Sequence, residues 1–379
     1  MALYIIIFLV IVFLYVMTLY NPQSARVLMV IMAFLAIFVG ISDMLGGYDR
    51  YIYAECFDQL ANRMRGGRNI FASALFRLYG TEFGYCFLNV GVALFSANRY
   101  IFILVATLIV YTCLYFSFKR HTNNYAFAII LFLGLWFFFS FTYLRQVLGV
   151  SIAWLALIYV SKRDLKRFLI VVFIAATFHN SAIILLPLYF IPLRPFDKAK
   201  ILIVMGVIFL LGLTDGPATL FEAYGGVVED TRVQQNLADS SGFREAYLVE
   251  AVFFLFLILT NYDLITETEE QTVMTNTALV FCGILLFFVK SENGGRLAWY
   301  YMMGVISTLT YITTCQQRVT YKAMALIVVS FLLYMRILIG WGVFLFPYKT
   351  FFTDGVRKGD KIYNQFEYDH HYAKDKFYR

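Results

Sequence analysis

The chain has 379 residues, of which 61% are hydrophobic, 19% aromatic and only 15% charged, and its mean hydropathy is +0.72. A water-soluble globule carries about 25% charged residues, so this composition excludes a soluble protein and points to an integral membrane protein. The net charge of +7 is distributed as short Lys/Arg runs between apolar stretches, which is the orientation pattern of a polytopic protein and not a nucleic-acid patch.

Residues 1–20 form an uncharged apolar run with no basic leader and no small-residue cleavage site, and read as a retained first helix. A crossing needs about 20 apolar residues. The stretches 3–20, 27–42, 100–118, 125–144, 146–161, 246–262, 273–289, 297–315 and 323–346 meet that need. The shorter runs 84–97, 168–178, 180–193 and 201–213 are ambiguous. The expected fold is all-α, a polytopic integral membrane protein of about 10–12 transmembrane helices with re-entrant or half-length segments. The membrane-embedded catalytic domain is expected over 1–348, followed by a charged C-terminal tail, 349–379.

Orientation follows from Lys and Arg in short loops. Lys119 and Arg120, the set from Lys162 to Arg167, the set from Arg194 to Lys200, and Arg318 with Lys322 mark the cytoplasmic side. The opposite face then carries 43–82, the turn at 142–146, the loop 214–245 and the turn 290–296. Parity alone places the 261–272 loop, which has neither Lys nor Arg. Parity also sets the tail outside, although its seven Lys and Arg argue for inside.

Up to residue 289 every Lys falls on the cytoplasmic side, while the outer segment 43–82 uses Arg alone: Arg50, Arg63, Arg65, Arg68 and Arg77. Arg is a planar, permanently charged fork that can grip phosphate at two points, so this cluster suits an anionic lipid-linked substrate. The plainer alternative pairs these Arg with Asp43, Glu55, Asp58 and lipid headgroups. The stretch 168–193 is basic at both flanks. It is either a hairpin with its apex near His179 and Asn180, or one long helix kinked near Pro187.

Several polar groups stand where a bilayer should exclude them. Arg145, followed by Gln146, falls at the junction of two apolar runs, where it either snorkels to headgroups or binds a diphosphate that Gln146 helps orient. His179 lies in the polar sequence Phe178-His179-Asn180-Ser181. Arg296 follows Gly294-Gly295, with Tyr300 one turn on, a pattern compatible with anion capture at a helix start. Asp49 and Tyr53 share a helix face at a spacing of four. Glu82 opens Glu82-Phe83-Gly84-Tyr85 and serves either as a general base or as a helix cap. Glu250 is a second-tier intramembrane acid. His370-His371 sits in the charged tail and is read as non-catalytic. The sequence has no phosphate-binding P-loop, and neither HExxH nor a CxxC pair that would hold a metal.

Taken in order, Asp49…Tyr53, Glu82-x-Gly84-Tyr85, Arg145-Gln146, Phe178-His179-x-Ser181, Arg296 with Tyr300, and Pro347-Tyr348 resemble the EpsG-like branch of Wzy polysaccharide polymerases, over roughly residues 1–348. The family's Glu-Pro-Gly-Tyr-like element has Phe83 here in place of Pro. The resemblance implies a GT-C-like multi-pass glycosyltransferase of the bacterial inner membrane, with its active site on the periplasmic or extracellular side. Such an enzyme joins undecaprenyl-diphosphate-linked oligosaccharide repeats into capsule, exopolysaccharide or O-antigen. It needs no cofactor or metal. Its partners are the lipid-linked oligosaccharide, the bilayer, a chain-length regulator and a flippase, and it binds no nucleic acid.

On that reading Arg145 and Arg296 clamp the leaving diphosphate, and Asp49 takes the acceptor proton. His179 contacts diphosphate or sugar, Glu82 organises the outer helix, and Tyr53 and Tyr85 stack on sugar rings, with Gln146, Ser181 and Tyr300 completing the substrate contacts. An O-antigen ligase, a flippase for the same lipid and a membrane acyltransferase are the alternatives.

Overall fold

The computed structural model describes all residues except 215, 218–241, 292, 315–317 and 354–358. Most of the 214–245 loop therefore lies outside the described residues. The described residues are mostly helical, with no β-strand among them. Among the described residues four helices are long and apolar enough to cross a bilayer: Arg99–His121, Leu144–Ser161, Glu269–Phe287 and Tyr321–Gly340. Shorter apolar helices, among them Ala2–Met17 and Ala25–Gly40, accompany them. The protein is an all-α polytopic membrane protein. Its chain divides into two compact units, one of 1–156, 169–183 and 313–379, the other of 157–168 and 184–312.

The first unit is built around the Tyr125–Leu135 helix, which is buried along its whole length among Ala2–Met17, Ala25–Gly40, Arg99–His121 and Tyr321–Gly340. A helix that is apolar all round belongs at such a centre. Gly134 lets Tyr321–Gly340 come close, since a Cβ there would stand 2.6 Å from the Ser330 carbonyl oxygen. Small residues at such crossings are how helices pack tightly in a membrane. Asn98, Asn124 and Thr320 start their helices by accepting from the backbone N–H of Tyr100, Phe127 and Ala323. Buried tyrosines spend their hydroxyls on carbonyls of other helices, Tyr4 on Leu345, Tyr334 on Tyr4 and Tyr348 on Phe38.

The expected continuous span 125–144 breaks after Leu135, and a short helix, Phe139–Thr142, precedes the Leu144–Trp154 helix. Trp136, Phe137 and Phe138 are all fully buried, packing against Trp154 and Tyr334. Consecutive large rings cannot all face one core from a straight helix, so the backbone turns.

The 43–82 segment is largely helical without spanning. Its main helix, Tyr48–Arg65, is entered through Gly46 and Gly47, at φ +111° and +101°. A Cβ on Gly46 would also stand 2.5 Å from the Phe141 carbonyl oxygen, so no other residue fits this turn without strain. The Arg cluster is only partly available to a ligand. Arg50 is buried and donates to Ser42 Oγ and to the carbonyls of Leu45 and Val39, whereas Arg65, Arg68 and Arg77 are exposed.

The described part of the tail folds onto this same segment. Arg99, fully buried, pairs with Asp58 at 2.8 Å and with Glu367 at 3.1 Å, and its guanidinium lies 4.2 Å from the centre of the Tyr372 ring. Asp43 is met by Lys349 at 2.9 Å, by Lys376 at 3.4 Å and by the Tyr100 hydroxyl at 2.8 Å. Burial lowers the Lys376 pKa against the pull of Asp43. Several of the tail's cations are thus consumed by buried acids and are not available to an anionic leaflet, so a simple charge count does not decide the side of the tail. The tail lies with 43–82.

In the second unit Lys198–Gly212 and Glu245–Thr260 both pack on Glu269–Phe287. Thr268 and Gln271 form a full capping box at the start of the last of these. The Lys198 ammonium meets Asp263 at 2.9 Å and the Tyr262 hydroxyl accepts from Phe196 N–H, which sets the cation-free 261–266 segment beside the basic 194–200 loop. Of the two readings of 168–193, the hairpin holds. The Leu165–Phe178 helix ends at His179 and a 3-10 helix, Asn180–Phe190, returns, so that Arg163 donates to the carbonyls of Tyr189 and Ile191. At 1.5 and 2.0 Å per residue the two limbs reach about 21 and 22 Å, well short of the ~30 Å hydrocarbon core.

Candidate functional site

The site is assembled in the first unit from four separate stretches of chain. The Leu144–Trp154 helix begins with Arg145 in its first turn. Arg145 Nη1 donates to Glu82 Oε2, and its guanidinium stacks 4.0 Å from the centre of the Tyr79 ring and 5.6 Å from that of Tyr53. Both charged side chains are mostly buried, at 15% and 7% exposure. Arg145 Nε has no hydrogen-bond partner among the described residues, so one face of the fork is unspent.

Glu82 stands at the N-cap position of the Phe83–Ala93 helix but makes no cap hydrogen bond. Of the two roles open to it in sequence, capping is therefore not what is seen. Its Oε2 holds Arg145 and its Oε1 accepts from Asn180 N–H at 3.3 Å. A carboxylate held by a guanidinium and a backbone N–H is stabilised in its charged form and makes a poor proton acceptor. Phe83 occupies the first helical position, where Pro would also fit, so its departure from the family pattern leaves the helix start intact.

Gly84 explains how Glu82 reaches Asn180. A Cβ on Gly84 would lie 2.2 Å from Thr177 Oγ1, so Phe83–Ala93 and Leu165–Phe178 touch there with no side chain between them. The Asn180 side chain also donates to Thr81 Oγ1 at 3.1 Å. Next to it, His179 Nδ1 and Ser181 Oγ are 2.6 Å apart, an arrangement that fixes the imidazole within the half-buried apex of the hairpin.

Three tyrosines floor the site. Tyr85 packs against Tyr53 and Tyr79 at 6.1 and 5.8 Å between ring centres. Burial raises the Tyr53 pKa above its usual value although Arg145 opposes this, and Asp49, one turn earlier on Tyr48–Arg65, pushes the same way as burial. Asp49 is half-buried and Gln146 buried. Tyr79, Thr81 and Asn180 were not singled out in the sequence as site residues. Tyr79 carried no signal among 28 tyrosines, whereas Asn180 stood beside His179 in an apolar run.

Arg296 and Tyr300 belong to the second unit. Arg296 is half-buried, and Tyr300 is fully buried in the short 3-10 turn Trp299–Tyr301. Gly294 and Gly295 lie in the first turn of the six-residue helix Asn293–Ala298 and not before it. They are packing glycines, since a Cβ would meet Phe288 Cβ at 2.3 Å in one case and the Tyr247 hydroxyl at 2.6 Å in the other. Glu250 is half-buried on Glu245–Thr260. Among the described residues no group of three or more His, Cys, Asp or Glu could hold a metal ion.

What the first unit presents is a partly buried cation at a helix start, held by Glu82 and backed by aromatic rings, with a carboxylate and an imidazole on neighbouring elements. Comparison with curated proteins and with solved structures gives no match. The EpsG family model matches residues 27–350, a range that takes in the whole second unit, most of the first and every residue just described, and the chain belongs to the EpsG family, membrane proteins of polysaccharide-polymerase type.

Proposed function

We propose that the protein is a GT-C-like membrane glycosyltransferase that polymerises undecaprenyl-diphosphate-linked oligosaccharide repeats into a surface polysaccharide on the extracytoplasmic face of the bacterial inner membrane. The observation that carries this reading is Arg145, with its fork held by Glu82 and Tyr79 and its Nε unspent. In the reaction the bond between the donor's anomeric carbon and its phosphate oxygen breaks, and an acceptor hydroxyl oxygen bonds to that carbon. Negative charge builds on the leaving diphosphate, where a fixed cation in a partly dry site acts most strongly. Arg145 supplies that cation, and Glu82 with Asn180 positions it.

The acceptor proton goes to Asp49, the half-buried carboxylate one turn before Tyr53 on the same helix. Tyr53 and Tyr85 offer ring faces to sugars, Gln146 orients the diphosphate beside Arg145, and His179, steadied by Ser181, contacts diphosphate or acceptor. Arg296 and Tyr300 are assigned to substrate by the family pattern, and Arg296→Ala tests this separately. A flippase would supply the lipid-linked repeat and a chain-length regulator would set when extension stops.

The test is surface-glycan analysis in cells carrying Arg145→Ala. Single capped repeats in place of long chains, with normal protein accumulation, support the reading. Long polymer of normal length overturns it. Loss of all surface glycan would indicate a flippase instead.

A further inference from the structure

The second unit contains a cavity of about 610 Å³ bounded by the Lys198–Gly212 and Glu269–Phe287 helices and by Pro187–Pro192. Its wall is apolar, with Phe190, Ile191, Met205, Ile208, Leu279 and Phe287 contributing, and it is interrupted only by Lys200 and Asn276. Asn276 is used structurally, donating to the Pro192 carbonyl at 3.1 Å and so tying the 3-10 limb to the helix. Lys200 is exposed at the start of its helix and makes no ion pair among the described residues. Gly283 leaves the middle of the cavity open, because a Cβ there meets only Ile208 Cδ1 at 3.6 Å and Met205 Sδ at 3.9 Å.

We infer that this cavity holds an acyl chain of an anionic glycerophospholipid, with the lipid phosphate at Lys200. The lining argues for a flexible hydrocarbon chain, since the space is apolar and of ligand size. The single cation at its loop end argues for a negatively charged head. Lys200 stands in the basic 194–200 loop, on the side where the leaflet itself is anionic. The diphosphate donor of the proposed reaction belongs with Arg145 instead, so the occupant here is a bilayer phospholipid and not the polyprenyl substrate.

The experiment uses the full-length protein in phosphatidylcholine vesicles doped with phosphatidylglycerol carrying a diazirine near the end of one acyl chain. Irradiation followed by peptide mass spectrometry should concentrate label on 201–208 and 279–287. Unlabelled phosphatidylglycerol should compete and added phosphatidylcholine should not. Lys200→Ala should lower labelling about fivefold, the effect of one surface cation. Gly283→Leu should abolish it by filling the space, and Val204→Trp, on an exposed rim position, should do the same without burying new bulk in the fold. Label spread evenly over lipid-facing helices, equal competition by phosphatidylcholine, or competition by undecaprenyl phosphate alone would each overturn the inference. The readout involves no glycan, so its outcome is separate from that of the polymerase assignment.

Discussion

Replacing Arg145 by Lys separates a catalytic cation from a structural one. The guanidinium makes a charged hydrogen bond to Glu82 and a face-on stack at 4.0 Å over Tyr79, and keeps Nε unspent. Lys keeps the unit charge but loses the planar fork and most of the stack. One donor aimed at developing charge is worth about 100- to 1000-fold in rate, so Arg145→Ala should lose that much. Arg145→Lys, which keeps the charge but not its aim, should lose roughly 10- to 30-fold, near half of the same effect on the logarithmic scale. Glu82→Gln still offers Asn180 an acceptor but no longer anchors Arg145, and should cost about tenfold, near the 1.4 kcal/mol within reach of one coupled charged pair. Combined with Arg145→Ala it should cost nothing more, because the pair it serves is already gone. The assay is extension of a synthetic lipid-linked repeat by isolated membranes, read as ladder length against immunoblotted protein. Full extension by Arg145→Lys and Arg145→Ala, or losses that merely follow protein level, would refute the reasoning.

Other outcomes follow from the same geometry. Gly84→Val should clash with Thr177, cost about 1–3 kcal/mol as overpacking does, and sever Glu82 from Asn180; Gly84→Ala should recover partly when combined with Thr177→Ala, as read by thermal unfolding in detergent and by polymer length. Glu367→Ala strips a buried guanidinium of one of its two acids while leaving Asp58 in place, and should destabilise the first unit by about 1.5–3 kcal/mol, measured as a fall in unfolding temperature. Lys376→Met should be nearly neutral by contrast, because Asp43 keeps Lys349 and Tyr100 and the ammonium's burial already works against its charge. Asn180→Ala retains the backbone N–H that binds Glu82 but loses the bond to Thr81, and should lower extension less than Glu82→Gln does in the same membrane assay.

The helices were legible because a membrane demands long apolar runs, and starts such as Asn98, Asn124 and Thr320 announce themselves chemically. The hairpin at 168–193 was legible as one of two options from its basic flanks and short limbs. The break after Leu135 was not, because hydropathy counts Trp136, Phe137 and Phe138 as good membrane residues and ignores where their rings must point. Arg145 and Glu82 were each visible as charges out of place. Their pairing was not, since 63 residues separate them and no periodicity relates them. Gly84 was present in a noted motif, yet its reason lies on another helix, at Thr177. The same holds for Gly294-Gly295, where sequence shows two small residues and not the Phe288 and Tyr247 that pack against them.

The ion pair between Arg99 and Glu367 joins positions 268 apart in the chain. Ribosomes release Arg99 and its first acid, Asp58, long before its second exists, so the first unit must wait, with that guanidinium half paired at a helix start, until residue 367 has emerged and folded back. Reporter fusions truncated upstream of that point would therefore record the orientation of an unfinished protein, and topology is better mapped on chains that retain residues 359–379.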